Sequence, residues 1–237
     1  MRHALRHFIA EFLGTFALVF VGGLSIMMAQ GTGAHPAVGL VVVALAHGLV
    51  YGAMVTSLMR ISGHFNPAVT VGLIVARRLE GYMAGIYLAG QVIGAIVAAY
   101  VLRMVVPLAL FSATRGGGQI ISLDITGTQA FIIEAIASFF LVWVVFGTAV
   151  DPKAPRTGGL HIGFTLSALM LAILPLTGGS MNPARSLGPA VATGIFEGQI
   201  VFWTAPIVGG ALAALLYDQF FIRRGTEPVD HGAIDVR

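Results

Sequence analysis

The chain alternates long apolar runs with short polar breaks. Six apolar runs, at residues 8–28, 37–59, 82–106, 129–150, 159–176 and 199–222, are long enough to cross a hydrocarbon core as helices. Two further runs, at residues 66–76 and 182–193, are too short to cross. Each of these opens on the same triplet, Asn66-Pro67-Ala68 and Asn182-Pro183-Ala184. Asn is a preferred N-cap, because its side chain satisfies an orphan helix donor. Pro fits the first helical position, where no N–H is needed. Each triplet therefore predicts a helix start. A helix start exposes N–H groups that lipid cannot satisfy, so it survives at membrane depth only when buried in protein or lining a cavity. For a single triplet the bland alternative is an ordinary loop cap. For the first short run it is a surface helix, since Arg77-Arg78 follow it. Two triplets, one in each half, point instead to two half-helices beside a polar pathway.

The halves repeat. Phe8-Ile9-Ala10-Glu11 is echoed by Phe131-Ile132-Ile133-Glu134. Repeat one covers about residues 8–106 and repeat two about residues 129–222. Three spans per half place the halves in opposite orientation, which makes an inverted repeat. The expected fold is an all-α membrane protein, a single domain over residues 1–237 with six transmembrane helices and two half-helices. Residues 108–127, with Gly116-Gly117-Gly118, read as the loop joining the halves. Residues 151–156 read as a polar turn and 223–237 as a polar tail. Charge sets the orientation. With both tails inside, Arg2, Arg6, Arg60, Arg77, Arg78, Lys153, Arg156, Arg223, Arg224 and Arg237 collect on the inner side. Only Arg103, Arg115 and Arg185 fall outside. That bias places both tails in the cytoplasm and the protein in the cell membrane. The half-helices then enter from opposite sides, and the triplets meet near the middle.

Composition narrows the class. The chain is 57% hydrophobic and 10% charged, against about 25% charged in soluble domains. Its net charge is +3, but the basic residues are scattered over short loops, so no nucleic-acid surface is expected. There is no cysteine, hence no disulfide framework and no thiolate chemistry. The first run lacks a small-residue cleavage site and reads as a retained span. No phosphate-binding loop or nucleotide motif appears, and no cofactor is expected. His3, His7, His35, His161 and His231 show no metal-ligand spacing, so no metal site is expected. Gly48/Gly52, Gly81/Gly85 and Gly90/Gly94 are spaced for close helix contacts, and Gln91 is placed to pair across helices. Tyr51 and Trp203 read as packing or interfacial residues.

Two helix N-termini meeting at mid-membrane create a positive field there, which repels cations and admits neutral solutes. Asn66 and Asn182 can each cap a helix and still offer an amide hydrogen to a passing oxygen. An Arg embedded in a membrane, as Arg185 is here, is expensive and points to function; the alternative is an Arg snorkelling to the interface.

The two triplets and their flanks, Ser62-Gly63-His64-Phe65 before the first and Gly178-Gly179-Ser180-Met181 before the second, resemble those of aquaporins, the major intrinsic protein family. The likeness runs over residues 8–222. It implies a passive water channel, with Asn66 and Asn182 orienting water at the pore centre. It gives Arg185 a place in the outer constriction, beside Met170 on the fifth span and Gly179 in the loop. On the second span, counting from Ile61-Ser62-Gly63 selects His47. Counting directly from Asn66 selects Ala46, because the chain lacks a small residue usual in the family between Gly63 and His64. Placing that gap in the loop favours His47. The set His47, Met170, Gly179 and Arg185 resembles the filters of plant tonoplast intrinsic proteins and suits ammonia, hydrogen peroxide or urea alongside water. Residues 108–127 hold no His to match the extra one in some ammonia-permeable relatives. Ser186, Ala190, Phe202 and Trp203 resemble the water-channel branch more than glycerol facilitators. Glu11 and Glu134 would accept hydrogen bonds from their own half's pore loop, and His64 would line the inner vestibule or bridge loop groups. The family also implies a homotetramer in the bilayer.

Three rivals remain in view. A glycerol or small-polyol facilitator would share the fold. A secondary transporter would need a coupling carboxylate in the pathway, and Glu11 and Glu134 lie outside the triplets. An intramembrane hydrolase could be read into Ser62 and His64, but no Gly-x-Ser-x-Gly elbow surrounds Ser62.

Overall fold

The computed structural model describes residues 2–155 and 157–223. Arg156, Arg224, His231 and Arg237, singled out above, lie outside the described residues. Among the described residues the structure is helical throughout, with six helices long and apolar enough to cross a membrane. These are α1 (Arg2–Gly31), α2 (Pro36–Leu58), α4 (Gly81–Val105), α6 (Gly127–Val145), α7 (Leu160–Thr177) and α9 (Gln199–Tyr217). A π-helical turn prolongs α6 to Val150 and another prolongs α9 to Ile222. The half-helices are α3 (Pro67–Val75, 9 residues) and α8 (Pro183–Thr193, 11 residues). Helix α1 starts ahead of its apolar run, because helical backbone bonds persist in water as well as in lipid.

The connection between the halves is more ordered than a loop. It contains α5 (Leu108–Ala113) and a 3-10 turn over Arg115–Gly117. Gly117 takes φ +75° and lies so close to α1 that a Cβ there would sit 2.6 Å from the Cα of Gly23. The glycine run thus presses the connection onto the bundle.

The inverted repeat shows in the packing. Helix α1 packs on α4, and α6 packs on α9 in the same way; α2 against α7 joins the halves. Each half-helix crosses over, α3 resting mainly on α9 and α8 on α4. Small residues permit this closeness. A Cβ on Gly188 of α8 would meet the Ala95 carbonyl oxygen at 2.4 Å, and one on Gly210 of α9 would meet that of Ala68 at 2.9 Å. Gly48 and Gly52 face Gly159 and Gly163, while Gly90 and Gly94 press on the Phe8–Phe12 turn of α1. Gly81 and Gly85 correct the expectation for that spacing. They lie on an exposed face of α4, where an added Cβ meets nothing within 4 Å. Spacing marks a close contact only where the helix face is turned toward a neighbour.

The exterior carries Leu45, Leu49, Ile132, Ile136 and Phe140, as hydrocarbon solvent allows. Beyond the C-terminal end of α9, buried Asp218 binds two arginines. Arg78 Nη2 lies 2.6 Å and Arg223 Nε 2.5 Å from its carboxylate oxygens. Arg223 also donates to the Ala76 carbonyl at 3.3 Å.

Overpacking a close helix contact costs about 1–3 kcal/mol. Gly94→Val should therefore lower the thermal unfolding midpoint in detergent, and Gly85→Ala should leave it unchanged.

Candidate functional site

The two triplets build one symmetric junction. Asn66 caps α3, its Oδ1 accepting from the Ala68 N–H at 2.8 Å. Asn182 caps α8, its Oδ1 accepting from the Arg185 N–H at 3.1 Å. Each side-chain amide then reaches into the other half. Asn66 Nδ2 donates to the Met181 carbonyl and Asn182 Nδ2 to the Phe65 carbonyl, both at 2.8 Å. A side-chain amide carries two hydrogens, so each Asn keeps one beyond its bond across the junction.

Phe65 and Met181, immediately before the two Asn, occupy left-handed backbone at φ +48° and +50°. Such a conformation costs a non-glycine residue about 1–3 kcal/mol and persists only where surroundings over-determine it. Here both ends of the residue are held. Glu11 accepts from the Phe65 N–H at 2.7 Å and the His64 N–H at 2.9 Å. Glu134 accepts from the Met181 N–H at 2.7 Å and the Ser180 N–H at 2.8 Å. The carbonyl of each strained residue takes the opposite Asn. Both carboxylates thus bind their own half's loop.

Further bonds surround them. Glu11 also accepts from Ser62 Oγ and, at 2.6 Å, from Gln91 Nε2. Gln91, on α4, also donates to Thr70 on α3 at 2.9 Å. Thr177 Oγ1 donates to Glu134 at 2.7 Å. His64 bridges loop groups: its Nδ1 lies 3.1 Å from Thr70 Oγ1, and its carbonyl accepts from the Tyr51 hydroxyl at 2.6 Å. Ser62 is turned to Glu11 and His64 to Thr70, so the two do not form a nucleophile–base pair.

Asn66, Asn182, His47, Met170, Gly179 and Arg185 line one cavity of about 10 Å³, roughly the space one water needs. His47 Nε2 lies 3.1 Å from Arg185 Nη2, and His47 Nδ1 lies 2.8 Å from the Val43 carbonyl. That carbonyl can only accept, so Nδ1 carries the proton and Nε2 accepts from Arg185. Ala46, the alternative to His47, is half-buried and does not reach the cavity. Gly179 has φ +59°, and a Cβ on it would sit 2.6 Å from Met170 Sδ. The left-handed backbone favours glycine, and a side chain here would displace the flexible Met170 thioether.

Six further residues line the cavity, Leu18, Tyr51, Leu141, Leu166, Ser180 and Met181, none of them expected there from the sequence. Tyr51 corrects the expectation that it only packs. It follows His47 by one helical turn, on the same face of α2. Leu18 and Leu141 stand at equal distances after Glu11 and Glu134, a repeat signal the sequence carried. Ser186, Ala190, Phe202 and Trp203 do not reach the cavity. Ser186 Oγ donates to the Asn182 carbonyl at 3.1 Å and accepts from Ser180 Oγ at 2.5 Å. Ser186 thereby reaches the cavity only through Ser180 and Asn182, which line it.

The sequence signature described as "Major intrinsic protein" matches residues 1–217. The chain belongs to the major intrinsic protein family. Among its family relatives, "Probable aquaporin TIP3-2" of Arabidopsis thaliana is 38% identical over 96% of this chain and 88% of that protein. "Aquaporin TIP2-3" of Zea mays is 40% identical over 92% of this chain and 89% of that protein. Among solved structures, that of the aquaglyceroporin from Plasmodium falciparum superposes with a TM-score of 0.77 at 24% identity. The match covers 92% of this chain and 96% of that one, and shows a shared fold.

Removing a partner of a buried N–H costs about 1–3 kcal/mol for each group left unpaired. Glu134→Leu should therefore lower the unfolding midpoint markedly, by freeing the Ser180 and Met181 amides. Glu134→Gln, which keeps an acceptor oxygen, should lower it less.

Proposed function

We propose that this protein is a passive transmembrane channel for water, open also to small neutral solutes such as ammonia, hydrogen peroxide or urea, and closed to protons and ions. The observation that carries this reading is the junction of two helix N-termini, with a spare amide hydrogen on each capping Asn. A water there accepts from Asn66 and Asn182 together, so its own hydrogens point away along the passage. No proton can be handed across that point, and the positive helix ends oppose any cation. His47, Met170, Gly179 and Arg185 form the selectivity constriction in this reading, with the guanidinium adding charge and donors.

Water is placed ahead of glycerol. The cavity of about 10 Å³ favours the smaller solute, and the TIP relatives are named aquaporins. The Plasmodium neighbour, an aquaglyceroporin by name, keeps the polyol reading as the alternative. The protein works as a single channel domain without a cofactor, and assembles as a homotetramer with one passage per chain. The charge bias supports cytoplasmic tails and the cell membrane; the TIP relatives support a vacuolar-type membrane as the rival location, which membrane fractionation would decide.

Stopped-flow light scattering on proteoliposomes tests the proposal. Water flux should exceed that of empty vesicles many times over, with glycerol entry near background; flux equal to empty vesicles would sink the channel reading. Arg185→Ala should admit larger solutes or cations, and unchanged selectivity would remove Arg185 from the constriction. His47→Phe should suppress ammonia and urea entry. With no cysteine in the chain, flux should also resist mercurial reagents.

A further inference from the structure

One wall of the cavity that holds Arg185 is a thioether. Met170 is 0% exposed to the outside, yet it lines the cavity with His47, Gly179 and Arg185. Its Sδ lies over Gly179, in space that any side chain at that position would need. Arg185 also lines this cavity, and its Nη1 has no hydrogen-bond partner among the described residues, although the residue is only 3% exposed. An oxidisable sulfur and a free charged donor therefore share a space of about 10 Å³, enough for roughly one water.

We propose that Met170 is an oxidation site for peroxide passing along the channel, and that its sulfoxide closes the passage. The inference rests on reading this cavity as the constriction of a water channel. Hydrogen peroxide is a small neutral donor and acceptor, in the solute class such a constriction admits. A sulfur lone pair takes one peroxide oxygen and the O–O bond breaks. The thioether is oxidised by two electrons to the sulfoxide, and the other oxygen leaves as water with both peroxide hydrogens. Arg185 Nη1 can donate to the departing oxygen and afterwards to the sulfoxide oxygen. That new acceptor stands on a flexible side chain, in a space with little room beyond one water. Bonded to Nη1, it fills the passage.

The rest of the chain makes this site readable. There is no cysteine, so no thiol can answer to the oxidant. Met27 is as deeply buried as Met170, but packs in the cluster of Val19 and Leu102, away from the cavity. Met181, likewise 0% exposed, lines the same cavity. Its oxidation is therefore scored separately, and flux that falls in step with Met181 rather than Met170 would overturn the assignment. Met27 serves as the internal control.

The test uses the full chain in proteoliposomes treated with dilute hydrogen peroxide. Water flux is read before and after treatment, and peptide mass mapping follows one added oxygen at each methionine. The expected result is sulfoxide at Met170 ahead of Met27, with flux falling about tenfold in step with it, a change worth about 1.4 kcal/mol on the barrier. Met170→Leu should hold its own starting flux through treatment. Flux that persists while Met170 is oxidised would overturn the proposal. So would oxidation of Met27 in step with Met170, or a Met170→Leu protein that loses flux as wild type does. Should that variant fail to insert, the relation between flux and Met170 sulfoxide in the wild type still decides. Absence of flux before any peroxide is added would instead count against the channel reading itself.

Discussion

The structure depends on the exchange of hydrogen bonds between two half-helix ends. Asn66 donates to the carbonyl of Met181, and Asn182 to that of Phe65. Neither half can satisfy its own strained loop. A buried carbonyl left without its partner is costly, so each loop is stabilised by the other being in place. The short helices thereby hold their N-termini together at the centre of the bundle, where like dipole ends would otherwise repel.

Two carboxylates make that exchange possible. Glu11 and Glu134 each take two successive loop N–H groups and so fix the left-handed residue before the Asn. The halves differ in what surrounds the acid. Glu11 is further bound by Ser62 and Gln91, and Gln91 extends the network to Thr70 on the half-helix itself. Among the described residues Glu134 has Thr177 alone in addition. The cavity draws Met170, Gly179 and Arg185 from the second half, and the first half contributes His47.

Much of this was legible in the sequence. Span number, half-helices and inversion followed from run length and the repeated triplet, because hydrocarbon permits so few backbone arrangements. The cap geometry of Asn66 and Asn182 followed from residue type alone. Contacts between distant segments were not readable in the same way. Tyr51 looked like a packing residue because its role depends on where His64 turns its carbonyl. Gly81 and Gly85 carried the right spacing on the wrong face. The ordered connection around Arg115–Gly117 was hidden because a glycine run gives no period, and only its approach to Gly23 explains it. Asp218 sits within the sixth apolar run without a motif to mark it, and its role shows only in its contacts with Arg78 and Arg223.

That last cluster bears on how the protein is made. Helix α3 rests on α9, and the chain leaving α3 is tied through Arg78 to the end of α9. The surface that receives the first short helix is therefore synthesised well after that helix itself. While the ribosome is still making the second half, the first triplet has neither its carbonyl partner nor its supporting helix. The nascent first half is expected to wait unfinished at the translocon, and the final span acts as the key that lets both halves settle at once.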